Sequence, residues 1–130
     1  MSVSDVIVSI DWSDVGEGKL DELRVAMKSL AEFVENENRI VAYEVFFSPD
    51  GERMTVLQVH PDSGSMEEHM RIASAEFAKV KDLLQLRAID LYGSPSETLL
   101  HLMRQKARLL GGATLTVHST HAGFTRFGMG

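Results

Sequence analysis

Ile40-Val41-Ala42-Tyr43-Glu44-Val45-Phe46-Phe47, then Ser48-Pro49-Asp50-Gly51, then Met54-Thr55-Val56-Leu57-Gln58-Val59 is the stretch that decides the fold. Both arms are rich in β-branched and aromatic residues, which suit a pleated strand. Between them proline fixes φ and glycine is free to take positive φ, which is tight-turn chemistry. The stretch predicts a β-hairpin. Its arms are apolar on both sides: Val41, Tyr43, Val45 and Phe47 face one way, Ile40, Ala42 and Phe46 the other. A sheet with one wet face would alternate apolar with polar. This hairpin therefore belongs to a sheet covered on both faces.

Working outward, Val6-Ile7-Val8-Ser9-Ile10 predicts a first strand, followed by a Gly16-Glu17-Gly18 loop. Leu20, Leu23, Met27, Leu30 and Val34 recur at helical spacing, and that helix fades into the polar run Glu35-Asn36-Glu37-Asn38. Beyond the hairpin, Ser65 and Glu68 form a capping-box pattern ahead of an apolar stripe, Met66, Met70, Ala73, Phe77, Val80 and Leu84. A fourth strand is expected over 87–92. Ser94-Pro95-Ser96-Glu97 reads as a second capping box, with proline at the first helical position. Its helix carries Leu99, Leu100, Met103, Ala107 and Leu110, stops at Gly111-Gly112, and leads to a last strand over 114–118.

The order is β-α-β-β-α-β followed by α-β. The class is α+β, and the first six elements match the ferredoxin-like, split βαβ arrangement. Residues 1–118 are expected to form one domain with a C-terminal α-β extension, and 119–130 a flexible tail. Two helices cover one face of a four-stranded sheet, so the second face needs either the third helix or a second subunit.

Composition narrows the function classes. A formal net charge of -6 gives no broad basic footprint for nucleic acid, and it disfavours anionic membranes. With no cysteine there is no disulfide, thiolate metal site or cysteine nucleophile. The first eleven residues lack a basic n-region, and their apolar run is too short for a signal peptide or membrane span. A cytoplasmic location is the expectation. Gly16-Glu17-Gly18 lacks the further glycine and lysine of a phosphate loop, and no Gly-x-Ser-x-Gly elbow occurs.

The element order over residues 6–92, with the segment Val59-His60-Pro61-Asp62-Ser63-Gly64-Ser65-Met66-Glu67-Glu68-His69, resembles the dimeric α+β barrel superfamily. Its best-known members are the antibiotic biosynthesis monooxygenases. The resemblance implies a homodimer whose sheets pack together. It also implies a strand ending in a histidine, a short polar loop, and a helix with a histidine in its first turns. The activities it brings are cofactor-independent oxygenation of polycyclic phenols, heme degradation, and reactions on small signalling molecules. No cofactor is expected for the first of these.

His69 is the leading catalytic candidate. It falls three residues after Met66 and four before Ala73, on the stripe facing the sheet, where a neutral imidazole could take a proton from a phenol or bind heme iron. The plainer alternative is a core histidine hydrogen-bonded to backbone. His60 ends a strand near the same helix and could share its pocket. Tyr43, Trp12 and Met70 are candidates to wall a small aromatic ligand. Asn36 and Asn38 could polarise a carbonyl but suit the end of a helix better. His118 and His121 resemble a metal spacing only faintly, and no metal site is expected.

Overall fold

A computed structural model describes residues 5–126. The hairpin forms as its residues require: β2 (Ala42–Phe47) runs antiparallel to β3 (Arg53–His60), with Tyr43 opposite Gln58 and Phe47 opposite Met54. The turn is held by Asp50, whose carboxylate accepts from the Ser48 hydroxyl at 2.6 Å and from the Glu52 N–H at 2.9 Å. Gly51 takes a φ of 73°, the left-handed conformation that glycine alone adopts without strain.

The remaining elements are β1 (Ile7–Val15), α1 (Leu20–Val34), α2 (Ser63–Ala78), β4 (Leu84–Tyr92), α3 (Glu97–Leu109) and β5 (Thr114–His118). The sheet order is β2-β3-β1-β4-β5. Its first four strands are antiparallel in ferredoxin-like order, and β5 joins β4 in parallel. The fold class read from the sequence is thus the one observed.

Several boundaries differ from expectation. β1 continues to Val15, because Ser9, Asp11 and Ser13 interrupt the apolar run without interrupting the strand; Trp12 lies inside β1 instead of after it. α2 stops at Ala78, so Val80 and Leu84 are not part of its stripe. Neither expected capping serine is the cap. Asp62 accepts from the Ser65 N–H at 2.8 Å, and Ser96 accepts from the Leu99 N–H at 3.0 Å. In both cases the cap sits where its side chain reaches the third amide onward. The described part of the expected tail, residues 119–126, contains no helix or strand.

The three helices lie on the same side of the sheet. Leu23, Met27 and Leu30 of α1, Met66, Ala73 and Phe77 of α2, and Leu99, Met103 and Ala107 of α3 join one core with Ile7, Val56, Ile89 and Leu91 of the strands. α3 packs beside α2 and reaches β1 through Lys106, bonded to Asp11 at 2.6 Å. It therefore leaves the second face alone. Strand alternation places Val8, Ile10, Trp12, Ala42, Phe46 and Leu57 on that face, where Phe46 is 49% exposed. No described helix is long and apolar enough to cross a membrane.

The cap assignment is testable. Ser96→Ala should lower stability by about 1 kcal/mol in chemical denaturation, whereas Ser94→Ala, at an exposed serine, should stay within about 0.5 kcal/mol of wild type. Equal losses would argue against Ser96 as the cap.

Candidate functional site

Strand alternation turns Ser9, Asp11 and Ser13 of β1, and Gln58 and His60 of β3, toward the helices, and all five are buried. Buried polar groups need partners. His60 has two: Nε2 lies 3.0 Å from Gln58 Oε1 and Nδ1 lies 2.8 Å from Ser65 Oγ. The amide oxygen only accepts, so Nε2–H donates to it and Nδ1 accepts from the serine hydroxyl.

His69, in the second turn of α2, is fully enclosed. Its partner is a carboxylate: Nδ1 lies 2.8 and 3.1 Å from the two oxygens of Glu37. The carboxylate fixes the tautomer, with Nδ1–H donating. Nε2 is left as a buried acceptor with no hydrogen-bond partner among the described residues. Tyr43, His60 and Phe77 pack around the ring, at centroid distances of 5.9, 5.5 and 5.5 Å.

Burial sets the protonation states. It pushes His69 down to about 3, helped by the positive charge of Lys106, and His60 down to about 4. Burial, with the nearby negative charge of Glu68, lifts Glu37 to about 7. The Tyr43 hydroxyl is driven upward by burial and by the charges of Asp11 and Glu37. The pair is therefore a neutral imidazole behind a carboxyl group poised near neutrality, and not an ion pair.

Deeper in, Lys106 Nζ bonds Asp11 at 2.6 Å and lies 4.7 Å from the centre of the Phe77 ring, while Ser9 Oγ donates to Asp11 at 3.1 Å. Asp11, Ser13, Tyr43, Phe77 and Lys106 border a void of about 30 Å³. That holds about one water. Outside it, between α1 and β2, a cleft of about 400 Å³ is walled by Val34, Ile40 and Ala42, and Glu37 and Tyr43 open onto it. Glu37, with its side chain 9% exposed, thus links the cleft to the enclosed His69.

The structure gathers His69, His60 and Tyr43, as expected, and separates two other candidates from them. Met70 faces a different cleft, between α2 and α3. Trp12 lies on the far face of the sheet, with the Arg53 guanidinium 4.5 Å above its ring, so it cannot wall a pocket at His69. The Asn36 amide donates to the Glu32 carbonyl, a helix-end role. His118 bonds Asp90 at 2.9 Å and stacks on Tyr92, and among the described residues no three His, Asp or Glu side chains gather as metal ligands.

Glu37, Asp11 and Lys106 escaped the sequence reading. Lys106 left a signal: it falls three residues after Met103 and four before Leu110, on the apolar stripe. Glu37 left none, because its polar run looks like an ordinary helix end.

The sequence matches no family model. No curated protein is significantly similar to it. Solved structures do match. MupZ from Pseudomonas fluorescens superposes with a TM-score of 0.76 at 12% identity, over 97% of this chain and 93% of its own. SnoaB, a cofactor-independent oxygenase from Streptomyces nogalater, matches at 0.61 and 13% identity over 71% of this chain and 95% of its own. A Nitrosomonas europaea protein provisionally assigned to antibiotic biosynthesis monooxygenases matches at 0.63 and 16% identity, over 72% and 94%. The chain shares its α+β, ferredoxin-like fold with antibiotic biosynthesis monooxygenase-like proteins. The MupZ match takes in the α3–β5 extension as well.

The buried histidines make stability pH-dependent. In the unfolded chain they take up protons below about 6.5, while in the folded chain they stay neutral down to about 4 and 3. Each therefore costs stability as pH falls through that window. Glu37 acts oppositely, because its folded form binds a proton between pH 4.5 and about 7. Two groups outweigh one, so the melting temperature should fall from pH 6.5 to 4, and fall less in His69→Phe. A flat or rising profile would mean that the histidines are not held neutral.

Proposed function

We propose that the protein is a small enzyme acting without a cofactor on a polycyclic phenol or similar aromatic molecule, with the Glu37–His69 pair as its proton acceptor. The observation carrying this reading is a largely buried carboxylate, Glu37, that opens onto the α1–β2 cleft and is backed by an enclosed imidazole with no other hydrogen-bond partner among the described residues. A volume of about 400 Å³ lies within the range of small-molecule sites. A buried polar nitrogen without a partner is costly, and perturbed titratable groups of this kind cluster at functional sites.

In this reading Glu37 is the group that meets the ligand. His69 holds and orients it through Nδ1–H. A methylene between the rings of the phenol loses a proton to Glu37 and the carbanion reacts with dioxygen. Overall, R–CH2–R′ + O2 gives R–CO–R′ + H2O, one oxygen atom entering the carbonyl and the other leaving as water with both methylene hydrogens. A base poised near 7 suits proton removal at neutral pH. The likeness to SnoaB, a cofactor-independent oxygenase, supports the reaction class.

The test is oxygen uptake with an anthrone as substrate. Glu37→Gln and His69→Ala should each lower kcat/KM at least 100-fold. The wild-type kcat/KM should rise with pH through about 7, following Glu37. A profile flat from pH 5 to 9 would instead point to His69, titrating near 3, as the base. Binding of the anthrone without turnover would replace the enzyme by a ligand-binding protein.

We propose also that two copies pair through the open sheet face. An apolar face of this kind is rarely left to water, and α3 does not cover it. Sedimentation should show a dimer at micromolar concentration, and Phe46→Lys with Leu57→Glu should give a folded monomer. A wild-type monomer would refute the pairing.

A further inference from the structure

The cleft between α2 and α3 differs in charge from the others. It encloses about 610 Å³. Buried Met70 and Phe77 form its floor, and Leu102 and the half-exposed Leu109 extend the apolar surface toward the mouth. Its charged residues are Arg71, Lys106 and Arg108, with no carboxylate among the lining side chains. By contrast, Glu32, Glu35 and Glu37 outnumber Lys28 in the lining of the α1–β2 cleft, and Asp14, Glu17, Asp50 and Glu52 line another of about 670 Å³ beside the Gly16–Gly18 loop. This cationic lining stands in a chain whose formal net charge is -6.

The three cations are not equivalent. Lys106 is committed to Asp11 at the floor. Arg71, on the α2 wall, has only a loose contact with Glu67 at 3.7 Å, and its side chain is 59% exposed. Arg108, on the α3 wall, makes no ion pair among the described residues. Arg71 and Arg108, one from each wall, are thus the guanidinium groups of this lining without a close carboxylate partner. Guanidinium forks match carboxylates in geometry as well as charge.

We propose that the α2–α3 cleft is a binding site for an amphipathic carboxylic acid, its apolar body on Met70, Phe77, Leu102 and Leu109 and its carboxylate held by Arg71 and Arg108. The proposal is independent of the reaction assigned to Glu37 and His69, which use a different cleft.

The experiment is fluorescence titration of the full chain with cis-parinaric acid and with its methyl ester. The acid should bind at least tenfold more tightly than the ester. Arg71→Glu with Arg108→Glu should weaken the acid at least tenfold and leave the ester unchanged, at an unaltered melting temperature. Leu102→Trp, which fills the cleft, should abolish binding of both. Equal affinity for acid and ester, an acid affinity indifferent to the arginines, or no binding of either probe would overturn the proposal.

Discussion

Asp11 sits mid-strand in β1 on the side that the helices cover, and a carboxylate is tolerable there because the Lys106 ammonium reaches it at 2.6 Å. Both side chains are nearly sealed, at 5% and 7% exposure. In such surroundings, removing one partner leaves an uncompensated charge and costs about 3–5 kcal/mol. The pair therefore constrains where α3 can go. The helix has to lie beside α2, with Lys106 pointing inward across Phe77, and cannot fold beneath the sheet. Much of the remaining architecture follows. The second sheet face stays open, α2 and α3 form a cleft between them, and the Lys106 charge helps keep His69 neutral.

This constraint explains which parts of the fold were legible in the sequence. The hairpin, the helix faces and the ferredoxin-like order could be read from apolar spacing, because burial of apolar surface is what that spacing encodes. The full length of β1 is hidden in the sequence because Ser9, Asp11 and Ser13 look like solvent-facing residues. Their partners are supplied by other residues of the fold, one of them 95 residues away. The site shows the same division. His69 was found because its own helix stripe places it inward, whereas Glu37 was missed because nothing local distinguishes an enclosed carboxylate from a solvated helix end. Trp12 and Tyr43 share only their aromaticity; strand alternation puts the two on opposite faces. Capping failed more narrowly, since Asp62 and Ser96 stand close to other residues with the same chemistry.

The two histidines show how similar burial can yield different roles. His60 has both ring nitrogens satisfied, by Gln58 and Ser65, and behaves as a structural element closing the end of β3. His69 has one nitrogen satisfied by a group that itself opens onto a cleft. In the proposed reaction the proton acceptor therefore lies one residue further out, at Glu37. The imidazole expected to act as base is sealed, and its protonation is suppressed by burial. The carboxylate it steadies is raised into the range where proton transfer at neutral pH is efficient.

The clefts also divide by charge, and α3 is the cause. The cleft between α1 and β2 belongs to the six-element core and is lined by carboxylates. The cleft between α2 and α3 exists only because the chain continues past β4, and its polar rim is cationic. A fold that resembles cofactor-independent oxygenases over its core thus carries a second concave surface of opposite charge, on the element that the Asp11–Lys106 pair fixes in place. That surface cannot be altered at Lys106 without disturbing the interior, but Arg71 and Arg108 are free of that tie. Charge at the mouth can change without loss of the fold, so ligand preference there is separable from the stability of the core.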